Sequence, residues 1–231
     1  KRTSWTRIGL DLAKSPMTAK FGLLVILIYI VVALFAPLIA PYGEAEVFPI
    51  PYAAWSSEFV FGTDQIGRDI FSRLIYGARN TVGIAVATTA LAFIIGGVLG
   101  LAAAIARGWL DQFLSRTVDV LMAIPSLIFA LVLLSIFGST VTNLIIIIAV
   151  LDSTRVFRLT RAVSINVVVM DYVEAARLRG EGLGWIMRRE ILPNIMPPLI
   201  AEFGLRFCFV FLTIAALSFL GVGIQPPTAD W

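Results

Sequence analysis

Few side chains in this 231-residue chain can do chemistry, and those that can are charged groups in an apolar setting. There is no histidine, and the chain has no Gly-x-x-x-x-Gly-Lys-[Ser/Thr] phosphate loop, no Gly-x-Ser-x-Gly elbow and no group of residues at metal-ligand spacing. Nucleophilic, phosphoryl-transfer and metal-assisted catalysis therefore lack the residues they need, and no catalytic or metal-binding residue is expected. What remains is binding and packing. Asp152, Glu202 and Arg206 lie within long apolar runs and Asp119 at the edge of one, where an unpaired charge is costly. Glu202 and Arg206 are four apart, share a helical face and are expected to pair structurally; Asp152, three before Arg155, can do the same. A proton relay has no ladder of acids to follow. Cys208, between Phe207 and Phe209, reads as core, and a lone cysteine closes no internal disulfide.

The longest polar interval between two apolar runs is Asp171-Tyr-Val-Glu-Ala-Ala-Arg-Leu-Arg-Gly180, continuing to Ile191-Leu-Pro193. Asp171 is placed to cap a helix with Glu174 as the acidic arm of a capping box. Ala175 and Ala176 favour helix with little bulk, and Gly180 suits a left-handed stop. A second short amphipathic segment, Leu183 to Glu190, precedes Leu192-Pro193, and Pro197-Pro198 is expected to keep it from running into the next apolar run. Two small helices at a glycine elbow make a knob that answers to a soluble partner.

Glu174-Ala-Ala, Gly180 six residues on and Leu192-Pro193 at the end resemble the EAA loop of ABC importer permeases. Glu190 stands where that loop usually has an apolar residue or a histidine. Three further stretches, Phe61 to Arg79, Ile124-Pro-Ser-Leu127 and Leu217 to Pro227, occur in family order and resemble the dipeptide/oligopeptide/nickel branch, in particular its C-type permease. The resemblance covers about residues 21 to 231. It implies six core spans with both termini cytoplasmic, hence a sixth span after Trp231. It also implies a homologous second permease subunit, two ATPase subunits that hold ATP and Mg, and a periplasmic or lipid-anchored substrate-binding protein. Glu174, Ala175, Ala176, Arg177, Gly180, Leu192 and Pro193 would then be the ATPase-coupling residues; this chain would carry no cofactor of its own.

The elements that position these residues are membrane spans. With 59% hydrophobic and 14% charged residues and a mean hydropathy of +0.93, the chain is far more apolar than a soluble domain. A helix needs about 20 apolar residues to cross roughly 30 Å of hydrocarbon. Five runs qualify, about 18–40, 80–106, 117–137, 141–160 and 198–221, so the fold class is an all-α polytopic bundle. The first is too long and uninterrupted for a signal peptide and is read as a retained span. Lys1 and the turn-like end at Trp231 lead us to expect a fragment of a longer protein.

With the amino end cytoplasmic, nearly all Lys and Arg fall inside and only Arg68, Arg73 and Arg79 outside, as positive charge distributes in membrane proteins. The parts are then a cytoplasmic segment, 1–17, and a transmembrane domain, 18–231, with a periplasmic segment at 41–79 and a cytoplasmic coupling loop at about 161–197. Because the basic residues are split among loops, the net charge of +3 signals topology rather than nucleic-acid binding.

Within the spans, Thr88, Ala92, Gly96, Gly100, Ala104 and Gly108 recur every four residues, a small-residue ridge for close helix packing. Pro125 should kink the third span. In the outer segment, the Gly-Thr-Asp-x-x-Gly-Arg-Asp stretch reads as a capped helix start, with an Asp69–Arg73 pair if the helix has begun.

The expected function is a permease subunit of an ATP-driven importer for dipeptides, oligopeptides, nickel chelates or opines in a bacterial inner membrane. The alternative is a channel or scaffold that anchors a cytoplasmic partner without ATP-driven transport.

Overall fold

The computed structural model describes residues 15–231; most of the expected 1–17 segment lies outside the described residues. Those described form helices α1 (Met17–Ile39), α2 (Ile70–Ala106), α3 (Gly108–Ala123), α4 (Ser126–Phe137), α5 (Val141–Val168), α6 (Asp171–Leu178), α7 (Leu183–Ile186) and α8 (Leu192–Phe219). A π turn, Met187–Ile191, joins α7 to α8. No strand occurs among the described residues beyond an isolated bridge, Thr63 to Asp69.

Among the described residues, three helical stretches are long and apolar enough to cross a membrane: Met17–Ile39, Ile70–Ala106 and Leu183–Phe219. The pair α3 and α4, bent by 88°, makes a fourth when taken together as one broken span. The expected run at 141–160, now α5, is long enough at 28 residues but carries Asp152, Arg155, Arg158 and Arg161.

The chain divides into two compact units, one comprising the residues up to Asn80 with Pro227–Trp231, the other Thr81–Pro226. In the first, the segment between α1 and α2 folds on itself: the Phe48 amide donates to the Gly67 carbonyl at 2.8 Å and the Tyr52 amide to the Asp64 carbonyl at 3.1 Å. The rings of Tyr42, Phe48 and Phe59 pack within 4.8–5.7 Å of one another. Gly67 has φ +85°, and a Cβ there would collide with the Phe48 carbonyl, so the turn requires glycine. Burial raises the Asp64 pKa, but hydrogen bonds from the Arg68 amide and guanidinium and the Ile66 amide outweigh it and hold the carboxyl below its ordinary value.

Asp69 opens α2 by accepting from the Ser72 amide at 2.8 Å and hydroxyl at 2.7 Å. That is the capped start read from sequence, but the Asp69–Arg73 pair is not made: Arg73 donates to the carbonyls of Glu44 and Pro227, because Asp69 is engaged by its own helix end. Glu44 also accepts from Asn80, and the Trp231 indole donates to the Leu74 carbonyl at 2.8 Å.

The second unit is organised around α5, which buries thirteen residues, among them Ser153, Thr154, Thr160 and Ser164. One apolar cluster joins α4, α5 and α8 through Leu134, Leu144, Ile148, Val210 and Ile214. The small-residue ridge of α2 meets α5: a Cβ on Gly96 would stand 2.8 Å from Val156 Cβ, and one on Gly100 2.8 Å from Thr160 Cβ, while Ala92 and Ala104 are buried. Gly108 does not extend this ridge. Arg107 and Gly108 take φ +50° and +64°, so the chain leaves α2 and Gly108 begins α3.

Three further expectations are corrected. Pro125 breaks the third span rather than kinking it: Ile124 before it is extended, and α3 and α4 diverge by 88°. Pro197 and Pro198 lie inside α8, which runs on through them. They fall in its second turn, and the carbonyls they strand belong to exposed Pro193 and Asn194, where water or headgroups can take up the lost bonds. Cys208 is exposed, because α8 buries Arg206, Val210, Ile214 and Leu217, and a residue two positions from both Arg206 and Val210 points away from that face.

Candidate docking loop and charge cluster

The polar interval after α5 folds as a short helix seated on a dry surface. In α6, Val173 and Ala176 are three apart and fully buried, in one apolar cluster with Leu101, Ala104 and Ile105 of α2 and with Ile186, Ile191, Ile195 and Leu199. Asp171, Tyr172, Glu174, Ala175, Arg177 and Leu178 are exposed, Leu178 at 83%. Of the residues singled out from sequence, Glu174, Ala175 and Arg177 therefore face outward, whereas Ala176 is part of the seat. Leu192 is half-buried and Pro193 exposed in the first turn of α8.

Helix start and stop have different origins. Asp171 is not the cap: the helix begins one residue earlier, with extended Met170 in the cap position and its carbonyl accepting from Val173 and Glu174 amides. No side chain caps this end, so Asp171 and Glu174 in the first turn act through the helix dipole instead of a capping box. At the other end Gly180 has φ +80°, its amide donates to the Arg177 carbonyl at 2.9 Å, and the Glu181 amide reaches the Ala176 carbonyl at 3.2 Å. This is a Schellman stop. Nothing lies within 4 Å of a Cβ built on Gly180, so the position demands glycine for its backbone angle and not for space.

The second small helix expected after Gly180, Leu183 to Glu190, does not stand apart from the long helix that follows. α7 passes through the π turn directly into α8. The extra residue of that turn places Ile186 and Ile191, five apart, on the face that continues as Ile195 and Leu199. Arg179 lies 3.9 Å from Glu181 and 4.0 Å from Glu190, so Glu190 forms part of a charged link between the end of α6 and the π turn. The spacing 186, 191, 195, 199 was the available sequence signal for the bulge.

The charges singled out in the apolar runs assemble into one network. Asp152 Oδ1 is 3.4 Å from Arg155 and 3.5 Å from Arg206 of α8, and Arg206 Nε is 2.7 Å from Glu202. The Arg206 guanidinium also stands 4.9 Å over the Phe209 ring. Both pairs read from local spacing are present. The cross-helix Asp152–Arg206 contact was not legible, since 54 residues separate the partners. Two carboxylates and two guanidiniums sum to zero charge, which lowers the cost of burying Asp152 and Arg206, while the Arg155 side chain stays 43% exposed. Two more bridges tie α3 to α5: Asp111 accepts from both Nε and Nη2 of Arg161, the latter at 2.6 Å, and Asp119 from Arg158 at 2.6 Å. These too escape a sequence reading, being 50 and 39 residues apart.

Residues 96–231 match the family model for the binding-protein-dependent transport system inner membrane component, and residues 5–54 match that for the N-terminal TM domain of oligopeptide transport permease C. A di/tripeptide transport system permease protein of Pseudomonas aeruginosa is 39% identical over 217 residues, 91% of this chain and 72% of that protein. The dipeptide transport system permease protein of Escherichia coli K12 is 40% identical over 220 residues, 92% of this chain and 73% of its own length. A glutathione transport system permease protein of Pectobacterium atrosepticum is 32% identical over 232 residues, covering 100% of this chain and 77% of that protein.

Proposed function

The chain belongs to the family of binding-protein-dependent inner membrane transport components, in its dipeptide/oligopeptide branch of ABC importer permeases, and from that membership we propose how it works. It forms the translocation pathway with a homologous second permease subunit. Two ATPase subunits supply the ATP and Mg chemistry, and a periplasmic or lipid-anchored binding protein delivers short peptides or a related solute.

The observation that carries this reading is the seating of α6. A helix that presents Glu174, Ala175, Arg177 and Leu178 while Val173 and Ala176 sink into a buried cluster shared with α2, α7, the π turn and α8 transmits a push without deforming. Closure of the ATPases on that helix would displace the seat, whose members belong to the ends of membrane helices, and so bias two packings of the bundle. Gly180 sets the angle of the helix exit, and Leu192 and Pro193 begin the long helix that receives the movement.

We place five crossings in the chain, by α1, α2, α4 with its extended flanks Ile124-Pro125 and Gly138–Thr140, α5 and α8, with a sixth implied by family. Because the charges of α5 are matched by partners, its low hydropathy does not bar it from the bilayer. The excess of Lys and Arg puts the amino end and the 161–197 loop in the cytoplasm and 41–79 outside a bacterial inner membrane.

The test is reconstitution of the complete complex with Gly180→Val or Glu174→Lys. A β-branched residue at φ +80° distorts the elbow, while the lysine reverses the favourable charge at the helix start. Each variant is expected to insert and to bind the partner permease, yet to lose uptake together with ATPase docking or substrate-stimulated ATP turnover. Normal coupled transport in both would refute the coupling role.

A further inference from the structure

We propose that α3 lies nearly flat in the headgroup zone of the bilayer, on the membrane face where α5 ends, with Trp109, Phe113 and Val120 set against lipid. The inference rests on the chain being embedded in a membrane and not on what it transports.

Direction comes first. Ala130 and Leu134 of α4 pack along the Leu144–Leu151 stretch of α5, so α4 follows the long axis of α5. At 88° to α4, α3 runs far from that axis. The ion pairs agree: between Asp111 and Asp119 the helix advances about 12 Å, whereas their partners Arg161 and Arg158 are only about 4.5 Å apart along α5. Depth follows from α5 used as a ruler. From Val141 to Arg158 and Arg161 it rises roughly 26–30 Å, one hydrocarbon thickness, which sets both aspartates and the helix between them at the boundary.

The faces of α3 fit that level. Leu114, Val118 and Met122 pack inward on Ala103 and Phe157. On the opposite side Trp109, Phe113 and Val120 are 75%, 60% and 68% exposed, and helical spacing aligns them in one stripe. Asp111, Gln112, Ser115, Arg116 and Asp119 fill the polar arc between. An exposed aromatic stripe beside a polar arc is the pattern of an interfacial helix. Arg116, with its side chain 86% exposed, borders the stripe, where an arginine suits phosphate headgroups better than the dry centre of a protein contact.

The measurement is label depth in the assembled complex, reconstituted in phosphatidylethanolamine and phosphatidylglycerol. In a Cys208→Ala background, Trp109→Cys, Phe113→Cys and Val120→Cys carry spin labels, and accessibility to oxygen and to a water-soluble nickel chelate reports depth. A helix along the bilayer normal would change depth by about 16 Å over these eleven residues. We expect less than half of that, at headgroup level, with oxygen access at all three sites. A larger gradient, exclusion of both reagents as under a protein partner, or access by the chelate alone would each overturn the proposal. A second readout needs no label on the stripe: lipids brominated near the headgroup should quench the emission lost in Trp109→Leu more than lipids brominated at the chain ends. The reverse order would also refute it.

Discussion

At the scale of single residues, backbone geometry and close approach decide which positions are replaceable. Gly97 and Gly100 lie on the same helix with opposite consequences. A Cβ at Gly100 meets Thr160 Cβ at 2.8 Å, whereas at Gly97 nothing lies within 4 Å. Gly100→Leu should destabilise the purified subunit by at least the 1–3 kcal/mol typical of overpacking, and Gly97→Leu by much less. Thermal unfolding of the two variants in detergent checks this; equal losses would mean that α2 and α5 are not held at this distance. The packed glycines were legible because a four-residue spacing is a local signal, as was Gly180 at the end of a helix-favouring run. Asp171 was misjudged by one position, since Met170 supplies the first helical carbonyl without any side-chain cap.

Among elements, the π turn before α8 sets the register between the docking helix and the span. Its extra residue holds Ile186 in line with Ile191, Ile195 and Leu199. Deleting exposed Arg189 would leave Ile186 four residues before the next isoleucine, the ordinary α spacing, so the buried row survives. The deletion variant is expected to assemble with a near-unchanged melting temperature and with the five-residue backbone pattern replaced by regular α-helix, as read by amide exchange across 186–192. Failure to assemble would show that the turn carries more than register. Helices with strong apolar runs were readable from sequence; their breaks were less so. Pro125 and Pro197-Pro198 look alike in a sequence, but the first follows an extended residue and ends a helix, while the pair sits where its stranded carbonyls are exposed and the helix continues. Likewise, Asp111–Arg161 and Asp152–Arg206 depend on which helices meet, which local spacing does not encode.

For the molecule as a whole, the proposed sidedness follows from the distribution of Lys and Arg. In Cys208→Ala, cysteines placed in 171–193 should resist an impermeant thiol reagent in intact cells, while Tyr52→Cys should react. Labelling of the basic loop from outside would invert the topology. The four charges that join α5 to α8 carry a consequence on this scale. Asp152, Glu202, Arg155 and Arg206 sum to zero, so a rearrangement that moves them together through the membrane field does no electrical work. Removing one, as in Arg206→Leu, leaves a unit charge worth about 2.3 kcal/mol per 100 mV if it crossed the whole field. With α5 and α8 placed in the membrane as proposed, these four groups would add no voltage dependence to a change in how the two helices pack, in a resting cell or in one whose voltage has collapsed.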